Sequence, residues 1–338
     1  MKLLSIAVPC YNSENYMKNC IESLLVGGEE VEILIVNDGS KDGTAQIADE
    51  YAAKYPTIVR AIHQENKGHG GAVNAGIENA AGLYFKVVDS DDWLNPEAYK
   101  KVLEVLENVA KGPETLDVLI CNYVYEKEGA KKKRVMRYQK AFPQDRIFTW
   151  NEAKDLGIGN YVLMHSLIYR TALLHESGMK LPEHTFYVDN IFAFHPMQYV
   201  KTLYYLDVNL YRYYIGRVDQ SVNEQVMLGR MDQQLRVNKI MIDGYESKRL
   251  TNKRQRNYIV HYLSIIMAVS SVLLLRKNDE DSLQKKKELW QYLKDKDSWL
   301  YYKVRRSAIG RAVNLPGKGG RKTTVVGYKI AQRLYGFN

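Results

Sequence analysis

Short apolar runs alternate with amphipathic stretches through the first 125 residues of the chain. Each run has the length and composition of a buried strand, and a stretch of helical periodicity separates it from the next run. This alternation is typical of βαβ units, in which helices connect the parallel strands of one sheet. We therefore predict an α/β fold with a mostly parallel sheet flanked by helices. The predicted strands are Leu3–Val8, Val31–Val36, Ile58–Ile62, Leu83–Val88 and Leu116–Tyr123, and the predicted helices are Glu14–Val26, Thr44–Tyr55, Ala72–Ala80 and Pro96–Val109.

The regular alternation ends after the fifth predicted strand. A charged segment follows, and its run Lys131–Arg134 predicts a solvated hairpin or loop rather than a binding site. Short helices and strands mix from Trp150 to Tyr214, and the chain is predicted to be helical after Ser221. We therefore expect one domain over residues 1–220 and a basic helical region over residues 221–338.

The composition is that of an ordinary soluble globular protein. Hydrophobic residues make up 46% and charged residues 26% of the 338 residues, a length that allows one large core and a smaller addition. The cysteines Cys10, Cys20 and Cys121 are too few and too scattered for a disulfide framework or a zinc site, so we expect buried thiols in a reducing cytoplasm. The N-terminal apolar run ends at Pro9, which makes it too short for a signal peptide and favours a first strand.

One stretch just reaches the length of a membrane span. Tyr258–Leu275 contains no acidic or strongly basic side chain. Polar residues interrupt this stretch, among them His261 and Ser264, and polar residues dominate both of its flanks. We therefore predict a buried helix of a bundle rather than a transmembrane helix.

Three carboxylates follow the fourth predicted strand within four positions, at Asp89, Asp91 and Asp92. Carboxylates this close repel one another unless a cation lies between them, and Mg2+ or Mn2+ suits that place. Ligands of open α/β sheets bind at the carboxyl ends of the strands, where these side chains are expected. The alternative is an acidic turn that caps the helix starting near Pro96.

Three other predicted strands end in residues that suit a nucleotide. Tyr11 follows the first strand and offers a flat ring for a base, and Asp38 follows the second strand and offers an acceptor. The glycine-rich stretch 65–74 opens a helix, where free amide groups attract phosphate. Taken alone, the Asp38 segment is more typical of a β-turn before a helix, and the glycine-rich stretch is a weak signal. Four of them at one edge of a sheet favour a pocket for a nucleotide, a diphosphate and a metal ion.

The ordered set VPCYNSENYMKNCIESLL, VNDGSKDGT, NKGHGGAVNAGIENAAG and VDSDDWLNP resembles the N-terminal half of family 2 glycosyltransferases, over about residues 3 to 125. The resemblance implies the Rossmann-like GT-A fold and a nucleotide-sugar donor, usually a UDP sugar. It also implies a DxD motif in which Asp89 faces the ribose and Asp91 binds Mn2+ or Mg2+. The further residues implied to bind the donor are Pro9, Tyr11 and Asp38 at the nucleoside, and Lys67 and Gly71 beside it.

The same resemblance assigns the catalytic base to Asp189. The segment Phe186–Phe192 aligns with a family segment that commonly reads Glu-Asp before an aromatic residue, although Val188 replaces the glutamate. The alternative for Asp189 is a helix N-cap. Downstream, Arg217 matches a position where a basic residue can meet the diphosphate. Three nearby histidines are expected to be packed or solvated rather than ligands, and these are His165, His184 and His195.

The resemblance thus implies an inverting, metal-dependent glycosyltransferase that acts on a lipid-linked or cell-surface glycan of a bacterium. A sugar nucleotidyltransferase is one alternative, but it needs a glycine-rich triphosphate loop that Val8–Ser13 does not contain. The other alternative is a nucleotide-sugar-binding or scaffold protein that has lost its activity.

The net charge of +9 is concentrated in the C-terminal tail. Residues 285–338 contain 14 basic and 3 acidic side chains, a net +11, which leaves −2 for the first 284 residues. Aromatic residues lie among these cations, a combination that suits an anionic membrane surface at the cytoplasmic face. A nucleic-acid surface, for which we find no recognition motif, and a solvated helical surface are the alternatives. The aromatic residues are Trp290, Trp299, Tyr301 and Tyr302.

Overall fold

The computed structural model describes residues 2–127, 133–216 and 224–335, with side chains through Ile330. The chain divides into two compact units. The first comprises Met1–Lys154 and Val162–Ile215, and the second comprises Asp155–Tyr161 and Gly216–Asn338. The domain boundary predicted at residue 220 lies outside the described residues.

The first unit contains a ten-stranded sheet with helices around it. Its first four long strands and first four helices lie where the sequence predicts them, with ends that move by a few residues. The strands are β1 (Leu4–Cys10), β2 (Val31–Asp38), β3 (Val59–Gln64), β4 (Tyr84–Val87), β5 (Trp93–Leu94), β6 (Val118–Lys127), β7 (Arg134–Met136), β8 (Ile147–Thr149), β9 (Leu167–Arg170) and β10 (Thr202–Ile215). The helices are α1 (Met17–Leu25), α2 (Thr44–Lys54), α3 (Gly68–Asn79), α4 (Pro96–Lys111), α5 (Thr171–Glu176) and α6 (Asp189–Phe194).

The sheet is parallel in its first half and mixed in its second half. The strand order is β3-β2-β1-β4-β9-β6-β10-β5, with β7 paired to β6 and β8 paired to β10. The neighbours β3, β2, β1 and β4 are all parallel, as the alternating pattern predicts. Strand β9 runs antiparallel between β4 and β6, whereas β10 runs parallel to β6. The α/β prediction is therefore confirmed, and the antiparallel pairs come from segments whose pattern did not reveal their direction.

The central parallel strands are buried along their whole length. Every residue of β1 and of β2 is buried, since helices cover both faces of a parallel sheet. Pro9, at which the apolar run of the sequence ends, lies within β1. The pairing of β1 with β2 continues past Pro9 to Cys10, whereas its pairing with β4 ends at Ala7. The three cysteines are buried free thiols, as expected.

In the second unit, the described residues from Glu224 onward form helices joined by short loops, whereas Asp155–Tyr161 contains no helix. The stretch predicted to form a buried helix lies in α9, and most of its side chains are buried. By length and composition alone α9 could also cross a membrane, but a mostly buried core helix passes the same test. The helices are α7 (Glu224–Gly229), α8 (Met231–Asp243), α9 (Lys253–Lys277), α10 (Glu280–Lys296), α11 (Ser298–Arg306), α12 (Ala308–Ala312) and α13 (Gly317–Tyr335).

Candidate active site

The carboxyl ends of β1, β2 and β4 lie side by side and bring three predicted site residues to one edge of the sheet. Tyr11 directly follows β1, Asp38 ends β2, and Asp89 lies two residues beyond β4. Parallel strands of an α/β sheet end at the same edge, which is where such folds bind ligands. The sequence-predicted residues of the first half therefore share one rim.

Asp92 anchors the acidic turn to β10. Its carboxylate is buried and accepts hydrogen bonds from the Tyr211 hydroxyl at 2.6 Å and from the Tyr214 backbone N–H at 2.7 Å. Burial raises the pKa of Asp92 well above its usual value, and the charges of Asp91 and Asp89 raise it further. The alternative in which an acidic residue caps α4 is wrong, because the N-cap residue is Asn95, whose side chain accepts a hydrogen bond from the Ala98 N–H. Asp92 thus holds the turn in place.

Asp89 lies between two histidines. Its Oδ1 atom is 2.8 Å from His69 Nε2, and its Oδ2 atom is 3.9 Å from His165 Nε2. Burial opposes ionisation, but His69, His165 and Lys86 outweigh it and hold the pKa of Asp89 below its usual value. Asp89 is therefore ionised at neutral pH, and its backbone N–H donates to the Tyr211 hydroxyl at 3.1 Å.

Two carboxyl groups of the acidic turn and the nearby His165 form a set of ligand atoms that suits a divalent cation. Potential ligand atoms of Asp89, Asp92 and His165 lie within 4.8 Å of one another, and carboxylate oxygens with an imidazole nitrogen suit Mn2+. Burial lowers the pKa of His165 to about 4, so the ring is neutral, and among the described residues its buried Nδ1 has no hydrogen-bond partner. The predicted ligand Asp91 is half-buried and close enough to influence the pKa of Asp92. The predicted pair of Asp89 and Asp91 stays a prediction.

Asp189 lies close enough to His69 and Asp89 for their charges to influence its pKa. It is the first residue of α6, with Val188 at the N-cap position. Burial raises the pKa of Asp189 to about 6, His69 opposes this shift, and Asp89 adds to it. A carboxyl group with a pKa near 6 is a suitable general base at neutral pH.

The segment before Asp189 is fixed against α3, the helix that carries His69. Asn74 exchanges two side-chain hydrogen bonds with the backbone of Leu181, and the His184 N–H donates to the Lys67 carbonyl at 2.8 Å. A Cβ atom at Gly70 would lie 2.5 Å from the carbonyl oxygen of Pro182. The glycine-rich sequence is therefore required for this close packing, a role that is independent of phosphate binding.

Asp38, Lys67 and Gly71, which were predicted to bind the nucleotide sugar, lie close together. The buried side chain of Asp38 accepts hydrogen bonds from Gln64 Nε2 at 2.7 Å and from the Lys67 N–H at 2.8 Å. The Lys67 ammonium group is 3.6 Å from a carboxylate oxygen of Glu183. Gly71 faces the Lys67 side chain, since a Cβ atom at Gly71 would overlap the Cβ atom of Lys67.

Tyr11 and Pro9, which were also predicted to bind the nucleoside, belong to the first strand and the residue after it. Tyr11 is 52% exposed, so its ring is accessible to a base. Pro9 is buried within β1. Arg217 lies outside the described residues.

Four residues near the site were not predicted to take part in it. His69 and His165 flank Asp89, and Tyr211 bridges Asp89 and Asp92. Lys86 is fully buried within β4, where its Nζ donates to the His165 carbonyl at 2.8 Å and lies 5.0 Å from the Tyr211 ring centre. A lysine inside an apolar strand that ends in carboxylates is a signal that could have been read from the sequence.

Residues 5–171 match the profile of the family described as Glycosyl transferase family 2. Residues 5–171 therefore belong to this family. The matched residues include β1 from Ser5 onward, β2 to β4 and every residue predicted to bind the sugar donor except Arg217. The family assignment therefore agrees with the resemblance seen in the sequence.

Two curated glycosyltransferases match somewhat more than half of the chain. The putative glycosyltransferase EpsH of Bacillus subtilis is 34% identical over 222 residues, which is 63% of this chain and 60% of that protein. The uncharacterized glycosyltransferase YibD of Escherichia coli is 30% identical over 229 residues, 64% of this chain and 63% of that protein. The chain therefore spans less than two thirds of the length of these relatives.

A solved structure of another protein shares the fold. S. aureus TarS 1-349 in complex with UDP-GlcNAc has a TM-score of 0.67, with 98% of this chain and 92% of that chain covered. Its sequence identity to this chain is 18%, so the likeness concerns the fold alone.

Proposed function

We propose that the protein is an inverting glycosyltransferase that transfers a sugar from a UDP sugar to a hydroxyl group of a glycan. The observation that carries this proposal is Asp189, a carboxyl group with a pKa of about 6 under the influence of Asp89 and His69. These residues belong to the unit whose sheet edge presents Tyr11 and Asp38. The TarS structure with UDP-GlcNAc supports a UDP sugar as the first donor to test.

The donor would occupy the rim formed by β1, β2 and β4. Tyr11 offers its exposed ring to the base, beside Pro9, and Asp38 offers carboxylate oxygens to base or ribose donors. Asp89 faces the ribose in this arrangement. Lys67 and Gly71 lie at the start of α3, where free helix amides favour a diphosphate, and Arg217 is the further cation assigned to it.

Asp91 and Asp89 would hold Mn2+ or Mg2+, with His165 as a neighbouring nitrogen donor. The bound cation supplies positive charge where the departing nucleoside diphosphate becomes negative. Asp92 and Tyr211 keep the turn that carries these ligands against β10. Lys86, buried beneath the turn, adds a fixed positive charge that keeps Asp89 ionised.

The transfer step follows from the position of Asp189. The acceptor oxygen attacks the anomeric carbon from the face opposite the diphosphate, and the bond between that carbon and the diphosphate oxygen breaks. Asp189 takes the acceptor proton as the new bond forms, a contribution of about 10²–10⁴-fold to the rate. A single displacement inverts the anomeric centre.

The proposed acceptor is a lipid-linked or cell-surface glycan, and the proposed location is the cytoplasmic face of the membrane. The support is the net charge of +11 in residues 285–338 and their exposed aromatic residues Trp299 and Tyr302. Trp290, which was grouped with them in the sequence, is instead buried and donates to the Ser271 hydroxyl at 3.0 Å.

A donor screen tests the proposal. UDP and GDP sugars are added with and without Mn2+, and thermal unfolding and release of the nucleoside diphosphate are measured. We expect one UDP sugar to raise the melting temperature by mass action and Asp91→Ala to remove the part of this effect that depends on Mn2+. Stabilisation by nucleoside triphosphates and formation of sugar nucleotides would instead identify a nucleotidyltransferase.

Asp189→Asn tests the base. We expect this variant to keep the donor-induced rise in melting temperature and to lose transfer by about 10²–10⁴-fold, because the amide cannot accept the proton. Asp49→Asn is the matched control, since Asp49 is a 66% exposed carboxylate of α2 outside the proposed site. Equal transfer by Asp189→Asn and wild type would refute the assignment of the base.

A further inference from the structure

Three cations of the helical unit form a cluster without a carboxylate. They are Lys286 of α10, Arg305 of α11 and Arg321 of α13, and we call them the cationic cluster. Lys286 Nζ donates to Asn314 Oδ1 at 2.7 Å, and Arg305 Nη2 donates to the carbonyl oxygen of Asn314 at 3.3 Å. Two cations thus converge on one residue. In the part of the chain that the structure describes, none of the three forms an ion pair with an acidic side chain.

Two other lysines of α10 are paired with carboxylates. Lys285 lies 3.0 Å from Asp232 and 3.1 Å from Asp281, and Lys296 lies 2.8 Å from Asp243. Lys286, by contrast, is half-buried, and burial together with the charges of Arg305 and Arg321 lowers its pKa to about 8. The cluster therefore concentrates positive charge that the folded chain leaves uncompensated among its described residues.

The start of α13 adds helix amide groups next to this cluster. Thr324 Oγ1 donates to the carbonyl oxygen of Ala312 at 2.7 Å, and a Cβ atom at Gly320 would lie 2.7 Å from Leu315. These contacts pack the first turns of α13 against the loop that contains Asn314. The first amide groups of a 19-residue helix have no partners within the helix and carry partial positive charge.

We propose that the cationic cluster and the start of α13 form a binding site for a phosphate group. Guanidinium and ammonium groups bind phosphate oxygens through short, charge-assisted hydrogen bonds, and helix amides contribute further donors. The phosphate can come from a phospholipid headgroup or from a soluble phosphate. Exposed apolar side chains on the same segment favour the headgroup, since Leu315 is 40%, Val326 49% and Ile330 53% exposed.

This inference extends the proposed contact with an anionic membrane surface, on which it rests in part. Its test measures binding alone, so that a failure of glycosyl transfer and a failure of this site give different results. The transfer-deficient variant Asp189→Asn is expected to bind phosphate groups as wild type does.

The test uses the full-length chain with three charge-removing variants, Lys286→Met, Arg305→Met and Arg321→Met. Methionine keeps most of the apolar stem, so the helices are expected to remain packed. The matched controls are Lys287→Met, Arg306→Met and Lys322→Met, which remove the same charge from exposed sequence neighbours. Thermal unfolding without ligand verifies that all six variants are folded.

Two arms of the experiment distinguish the sources of phosphate. Co-sedimentation is measured with vesicles of phosphatidylcholine, alone or mixed with phosphatidate, and thermal stabilisation is measured with inorganic phosphate and pyrophosphate. We expect each cluster variant to bind about fivefold more weakly than its control, because a cluster cation would donate directly to a phosphate oxygen whereas the control cation would not.

Each outcome supports or overturns the proposal. Selective loss with vesicles identifies a lipid headgroup, and selective loss with pyrophosphate identifies a soluble phosphate. Equal weakening of cluster variants and controls would overturn the proposal, because the attraction would then come from total charge. The absence of binding in both arms would overturn it as well.

Discussion

Asp189 is the residue whose protonation sets the pH range of the proposed reaction. Burial raises its pKa to about 6, His69 opposes this shift, and Asp89 adds to it. Asp189 accepts a proton only when it is ionised, so the rate is expected to fall about tenfold per unit as the pH decreases below 6. The measurement is the pH profile of transfer at saturating donor, and a rate that is flat down to pH 4.5 would exclude Asp189 as the base.

The raised pKa of Asp189 also makes the stability of the folded chain depend on pH. Since the pKa of Asp189 is higher in the folded chain than in the unfolded chain, ionised Asp189 opposes folding above pH 6. Asp189→Asn is therefore expected to be at least as stable as wild type at neutral pH. Loss of transfer in that variant can then be ascribed to chemistry rather than to unfolding.

Lys86 is expected to stabilise the acidic turn from below. Its buried ammonium group donates to the carbonyls of His165 and Leu167, and its charge helps to keep Asp89 ionised. Lys86→Met removes these bonds and leaves a buried carbonyl oxygen unsatisfied, a cost of about 1–3 kcal/mol. Chemical denaturation measures this loss, for which Lys100→Met on the exposed face of α4 is the control. Equal stability of Lys86→Met and wild type would show that the buried ammonium is dispensable.

At the scale of elements, the sequence predicted the strands and helices whose pattern lies within one short segment of the chain. The strands β1 to β4 and the helices between them could be predicted because each consists of a short periodic run. The other neighbour of β4 could not be predicted, since β9 comes from a segment about eighty residues further along the chain. Two register shifts in β10, between Leu206 and Tyr211, set the positions of Tyr211 and Tyr213 around His165. No local pattern in the sequence indicated those shifts, so the partners of Asp89 and Asp92 were missed.

The contact between α3 and the segment before α6 gives a prediction at this scale. Gly70→Ala places a Cβ atom 2.5 Å from the Pro182 carbonyl oxygen, so the two backbones must separate. Because α3 carries His69 and the displaced segment leads to Asp189, we expect transfer to fall by about 10²-fold, as for other small misplacements of reacting groups. The measurement is kcat together with thermal unfolding.

Gly229→Ala is the matched control for this substitution, because a Cβ at Gly229 meets no atom within 4 Å. We expect this control to retain wild-type transfer. Wild-type kcat in Gly70→Ala would show that the spacing between α3 and the segment before α6 does not affect the position of the base.

At the scale of the whole molecule, the basic tail has two roles, of which the sequence revealed only one. Residues 285–338 carry a net +11, but they also supply core side chains of the helical unit, such as Leu289, Leu293 and Leu300. A truncation at Lys285 would therefore remove the packing around α9 together with the charge. Surface substitutions are the better test of what the charge does, because they leave this core intact.

The salt dependence of vesicle binding distinguishes charge attraction from apolar insertion. The Debye length falls from about 10 Å at 0.1 M to about 3 Å at 1 M salt, so binding dominated by the +11 tail should be lost over this range. Trp299 and Tyr302 are 44% and 50% exposed, and insertion of such rings would instead persist at high salt. We expect co-sedimentation with phosphatidate vesicles to disappear by 1 M salt in wild type and in Trp299→Ala alike. Binding that survives at 1 M salt and is lost in Trp299→Ala would contradict a charge-driven contact and assign the membrane surface to the aromatic side chains.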